Sequence, residues 1–131
     1  MRASLNPQAA LRGSIYLTGD LEVAGQIGLG AAKTVVGSGA TPALDFSKGS
    51  NLEWTPDHAT PAPTAAGHYA GQVVLLKIIT WGSASTITFN TGFKTPSTLV
   101  IGTTTGKFWT LLFVSDGTNL IEMFRSAAVT T

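Results

Sequence analysis

Residues 13–29 read GSIYLTGDLEVAGQIGL, and this stretch limits what the chain can fold into more than any other. Glycine recurs at Gly13, Gly19 and Gly25. Ile15, Leu17, Leu21, Val23, Ile27 and Leu29 all fall on odd positions, while Ser14, Tyr16, Thr18, Asp20, Glu22 and Gln26 fall on even ones. Ala24 and Gly28 are the non-polar exceptions. Alternate residues of a strand point to opposite faces, so the aliphatic groups form one strip. A straight strand of this length would reach about 55 Å, roughly three times an ordinary strand. The stretch therefore bends at its glycines or runs outside a compact body.

Each aliphatic side chain of the strip gains roughly 1.5–3 kcal/mol on burial, and the strip left in water is an aggregation site. Three arrangements cover it. In the first, the stretch is a hairpin or meander with bulges at its glycines, lying under the C-terminal sheet. In the second, three copies pack their strips around a threefold axis, each glycine allowing a bend or a close approach. The third is a left-handed solenoid turn. The regular six-residue glycine period favours the second, because a hairpin has no reason to repeat its glycine spacing. Ile15, Leu17, Leu21, Val23, Ile27 and Leu29 are then the trimer-interface residues.

Composition agrees with a covered surface. Only 11% of the 131 residues are charged against 44% hydrophobic, whereas a soluble domain is normally about a quarter charged. A lone copy with so few charges is poorly solubilised, and association with sister chains or a partner resolves that. The net charge is +1 and the basic residues are scattered, which speaks against a nucleic-acid partner. The chain contains no cysteine, so disulfides and thiolate metal sites are excluded. Its longest unbroken apolar runs, such as residues 73–76, are far too short to span a membrane, and no signal peptide is evident near Met1.

Along the chain, residues 1–12 read as an N-terminal arm and 13–54 as a glycine-spaced, shaft-like β-region. Residues 55–70, which include three of the six prolines, read as a Pro/Ala-rich linker. Residues 71–131 read as a β-domain of about five strands. Residues 72–81 (QVVLLKIITW) are apolar on both faces, as in a strand buried on both sides. Residues 85–90 (STITFN) alternate, and 98–103 (TLVIGT) form a short apolar run. The runs 107–115 (KFWTLLFVS) and 120–125 (LIEMFR) flank Asp116–Gly117, a hairpin signal. No segment has capped helical periodicity. The expected class is all-β, with an antiparallel, sandwich or jelly-roll-like C-terminal domain.

Catalytic chemistry finds little to build on. His58, with Asp57 and Glu53, forms the one conceivable metal trio, but no HxxxH or HExxH spacing supports it and a solvated loop histidine is the simpler reading. His68 and Tyr69 fit a strand end or an interface. Asp20 and Glu22 share a strand face at about 7 Å, a separation within the reach of glycosidase pairs, yet they sit on the polar side of the repeat. Gly28, Gly30, Gly37 and Gly39 match no phosphate-binding fingerprint, and no GxSxG elbow is present. A small depolymerase is therefore weakly supported. Trp81 and Trp109 read as core. The three tryptophans, with Tyr16 and Tyr69, also offer sugar-stacking surfaces, and Trp54, beside the proline-rich stretch, is the best candidate for a subunit or shell contact.

Two segments carry a family resemblance. GDLEVAGQIGLG resembles the shaft segments of phage tail and head fibres. The stretch QVVLLKIITWGSASTITFNTGFKTP with GTTTGKFWTLLFVSDGTNLIEMFRS resembles the β-rich head domains that follow such segments in phage virion proteins. Together they cover about residues 13–126. The resemblance implies a non-enzymatic, homotrimeric virion protein without cofactor or metal, made in the host cytoplasm, and does not by itself place it on the capsid surface or elsewhere on the virion. A chain this short fits a capsid decoration (cement) protein that contacts the major capsid protein. The alternative is a short fibre or receptor-binding module holding a host surface glycan. In the first case Arg2, Leu5, Leu11 and Trp54 are the candidate capsid contacts.

Overall fold

A computed structural model describes residues 29–36, 39–80, 82 and 86–130, together with 18 and 19. The described residues are all-β. Their strands are β1 (Lys33–Val36), β2 (Ala43–Asp45), β3 (Asn51–Thr55), β4 (Thr64–Ala66), β5 (Val73–Ile79) and β6 (Thr86–Ile87). There follow β7 (Phe93–Lys94), β8 (Leu99–Val100), β9 (Lys107–Ser115), β10 (Leu120–Arg125) and β11 (Val129–Thr130). The main sheet runs β1-β3-β5-β9-β10-β7, with β11 on the free half of β9.

The first half of the fold follows from how the chain crosses between two layers. β1, β3 and β5 lie side by side and parallel, with Leu52 placed between Lys33 and Leu76. Parallel neighbours cannot be joined by a tight hairpin and need a crossover. Here each crossover passes through a second layer. β2 and β4 pair parallel there, and residues 86–91 extend the row: Thr88 and Asn90 donate to the carbonyls of Pro61 and Pro63, and Ala65 to that of Thr91. Three successive passes of the chain are thus stacked in register. The second half is antiparallel: β9 pairs with β5 along its length and turns at Asp116 into β10.

The sheets are therefore mixed, not antiparallel as the sequence led us to expect. Antiparallel pairing holds for β5-β9-β10, β6-β8 and β9-β11, and parallel pairing for β1-β3-β5, β2-β4 and β10-β7. The alternation of apolar residues does not distinguish the two, because a strand faces a core in the same way whichever direction its neighbour runs.

The core lies between the layers. Leu44 and Phe46 from β2 and its exit face Leu52 and Trp54 of β3, Val74, Leu76 and Ile78 of β5, and Trp109, Leu111 and Phe113 of β9. Phe93 packs 5.1 Å from Phe89 and 5.2 Å from Phe113, edge-on or tilted as aromatic quadrupoles prefer. Trp54 is completely buried, which corrects its placement as a capsid contact. The residue stands at an inward position of β3, beside Val35 of β1 and Ile78 of β5, so its position in the strand decides the matter and the proline-rich stretch that follows does not.

Residues 55–70 are more than a spacer. Pro61 and Pro63 are buried, and this segment is the middle row of the second layer, with Ala62 and Thr64 donating to the carbonyls of Ala40 and Pro42. The missing N–H groups of the prolines fall on the side where only their carbonyls are used, so the ladder survives them. Close packing of these rows restricts two glycines, Gly67 against Ser47 and Gly92 against Ala65. Gly92 has φ +84°, and a Cβ there would lie 2.6 Å from the Ala65 carbonyl oxygen. Gly92→Ala is expected to cost about 1–3 kcal/mol, read as a lowered midpoint in denaturant titration.

The corner entering β5 is held by a buried polar residue. The Gln72 side-chain amide donates to the Phe46 carbonyl (3.2 Å) and to Ser50 Oγ (3.0 Å), and its Oε1 accepts from the Tyr69 N–H (3.2 Å). A buried amide is tolerated because these partners replace water.

Candidate functional site

The strongest candidate for function is the outer face of the main sheet. Cross-strand partners share a face, so the ladder names its occupants row by row. One row is Val73, Val114 and Ile121, and the next is Leu75, Leu112 and Phe124. A third pairs Lys77 with Thr110, and a fourth joins Ile79, Phe108 and Val129. On β5 and β9 the inward residues are buried while the outward ones, from Leu75 to Val114, are only half-buried. At the margins exposure rises to 41% for Val73, 40% for Ile121 and 57% for Phe124.

Phe124 reaches this face because of an irregularity in β10. Strict alternation from Leu120 would turn Phe124 inward and Arg125 outward. Instead the register shifts between Glu122 and Phe124, so that Met123 is the extra residue of a bulge. Phe124 then lies beside Leu112 on the outer face, and Arg125 lies beside Leu111 on the inner side. There Arg125 grips Glu122 with two bonds of 2.7 and 2.8 Å and donates to the carbonyls of Thr98 (2.9 Å) and Ser97 (3.1 Å). A fork-to-carboxylate pair of this kind is strong and directional. The bulge thus exchanges a cation for an aromatic ring on the outer surface.

Charge on the face is sparse. The Lys77 ammonium is 3.3 Å from a Glu53 carboxylate oxygen and 4.7 Å from the centroid of Phe108. Lys94 stands at the rim beside Ile121. Toward β1 the face turns polar, with Thr34 next to Glu53.

The residues singled out for chemistry do not converge. Glu53 is engaged by Lys77, Asp57 accepts from the Gly39 N–H (2.9 Å), and the Nδ1 of His58 accepts from the Thr60 N–H (3.2 Å). Among the described residues no group of three metal-binding side chains exists. His68 Nδ1 is 2.8 Å from Ser115 Oγ, which also accepts from the Gly117 N–H (3.1 Å). This pair fastens the β9-β10 turn to the segment before β5, and Ser115 is buried. Trp109 is core as expected, and Tyr69 is exposed. Arg2, Leu5, Leu11, Ile15, Tyr16, Leu17, Asp20, Leu21, Glu22, Val23, Ile27, Gly28, Gly37 and Trp81 lie outside the described residues. Of the aliphatic strip, Leu29 alone is described, and it is 43% exposed.

No protein-family profile, no curated protein and no solved structure matches this chain.

The turn between β9 and β10 is built on Asp116. Its carboxylate accepts from the N–H groups of Asn119 (2.6 Å) and Thr118 (2.8 Å), which hold its pKa below the ordinary aspartate value. The same effect, from the Ser47 N–H, lowers Asp45. A carboxylate with a depressed folded pKa stabilises above its unfolded pKa, and the contribution disappears as pH falls through the folded value. The stability gap between the native chain and Asp116→Asn is therefore expected to be present at pH 7 and to shrink in strong acid. Paired thermal melts at the two pH values check it.

Proposed function

We propose that this chain is a non-enzymatic structural protein of a phage virion, a homotrimer that decorates the capsid and stabilises the shell. The observation that carries the reading is the outer sheet face: β5 and β9 are apolar on both sides, and among the described residues the fold covers only one of them. A protein with 11% charged residues and such a face gains most by burying it in an assembly. The aliphatic strip at Ile15, Leu17, Leu21, Val23, Ile27 and Leu29 adds a second surface with the same need. The resemblance of GDLEVAGQIGLG and FVSDGTNLIEMFR to shaft and head segments directs the assembly reading toward virions.

The stacked parallel passes favour a second reading, a short fibre or receptor-binding module for a host surface glycan. Rows of this kind add along one axis, as a shaft does, and Tyr69 offers an exposed ring for stacking against a sugar. The deciding experiment measures the mass of the purified protein and then mixes it with undecorated capsid shells. Co-sedimentation of a trimer with shells supports decoration. A trimer that ignores shells and binds on a glycan array supports the fibre reading. A monomer at micromolar concentration removes both.

A further inference from the structure

We propose that the outer face of β5, β9 and β10 is where the copies meet, each sheet turned toward a shared axis with Leu75, Leu112 and Phe124 nearest the neighbouring copies. The inference rests on the homotrimer reading and goes beyond it by assigning the contact to a particular face of the C-terminal sheet.

Three observations select a second copy as the occupant. The first is charge. Within the face Lys77 is neutralised by Glu53 and laid over Phe108, which leaves Lys94 at the rim as its remaining charge and makes the apolar rows complementary to an identical apolar surface. A strongly charged partner would find little to pair with at those rows. The second is area. Val73, Ile121, Phe124, Val129 and their half-buried neighbours leave on the order of 500 Å² of apolar surface, at roughly 150–250 Å² per large side chain. That is near the upper end for the largest patch on a monomer, and with its polar margin it approaches the ~800 Å² per partner of a standard interface. The third is position. β5 and β9 are the inner strands of the sheet, flanked by β3 and β10, so the apolar rows are centred on the sheet and away from its edges. The face is apolar along β5, β9 and β10 except for the Lys77–Thr110 row and turns polar toward β1, which gives it a polar rim on that side.

The absence of native cysteine makes the test direct. Leu112→Cys is introduced in the full chain, with Val100→Cys, exposed on β8 away from this face, as the control. Each variant is treated with a short bismaleimide, and its mass is measured beforehand. The expected result is a trimer in which the Leu112→Cys thiol cross-links between chains and labels slowly with a monofunctional maleimide. The Val100→Cys thiol labels freely without cross-linking. Phe124→Glu, checked for folding by circular dichroism, is expected to weaken association by at least roughly 100-fold, because it buries an unpaired charge. A trimer in which the Leu112→Cys thiol labels freely overturns the inference and leaves the homotrimer reading standing. So does a trimer in which that thiol is protected from maleimide yet forms no interchain disulfide on mild oxidation, the result expected if another segment of the same chain covers the face. A native chain that sediments as a monomer removes the homotrimer reading itself.

Discussion

Trp54→Ala is expected to lower the melting temperature by roughly 10–20 °C. Removing a fully buried tryptophan costs about 3–5 kcal/mol in lost transfer free energy and cavity formation. A domain of this size loses a few degrees for each kcal/mol. The site has little room to relax, because Val35 and Ile78 lie beside Trp54 in register and the facing layer brings Leu44 and Phe46. Total stabilities are commonly about 5–15 kcal/mol, so the variant loses a large share of its margin. Differential scanning calorimetry of the purified chain reads the effect. A shift of only a degree or two would return Trp54 to the surface, since substitutions there usually stay within about 0.5 kcal/mol.

Leu21→Asp combined with Val23→Asp is expected to weaken self-association by more than ~10³-fold while leaving the C-terminal sheet folded. Each substitution forfeits roughly 1.5–3 kcal/mol of aliphatic burial and places a carboxylate in an apolar contact. At about 1.4 kcal/mol per factor of ten the two together exceed three decades. Sedimentation equilibrium of the variant at micromolar concentration checks the mass, and near-ultraviolet circular dichroism reports whether the aromatic cluster of Phe89, Phe93 and Phe113 is intact. An unchanged trimer with native aromatic signals would mean that the strip is covered inside one chain.

Much of the strand content was readable from residue order. The runs 73–79, 107–115 and 120–125 announced themselves by β-branched and aromatic residues, and Asp116–Gly117 announced the turn between the last two. Residues 55–70 were not readable in the same way. Their prolines and small side chains have the composition of a linker, yet the carbonyls of Pro61 and Pro63 serve as ladder acceptors from Thr88 and Asn90. Local composition measures what a segment does alone, and this segment is ordered by the rows on either side of it. Trp54 was misplaced for the same reason, having been judged by its neighbours in sequence when its neighbours across the sheet decide its burial.

The candidate interface divides along similar lines. That β5 and β9 are apolar on both sides is a property of the letters VVLLKII and KFWTLLFVS, and it alone demands two coverings. Which side the chain covers itself is settled by the second layer, through contacts between residues far apart in sequence. The identity of the outward residues on β10 is settled by the bulge at Met123, because one inserted residue reverses the facing of every residue after it. Residue order thus determined the all-β character, the hairpin and the excess of apolar surface, since these depend on periodicity and turn chemistry. Strand direction, the burial of Trp54 and the arrival of Phe124 on the outer face were decided only in three dimensions, where pairing register, which has no local signature, sets what each side chain meets.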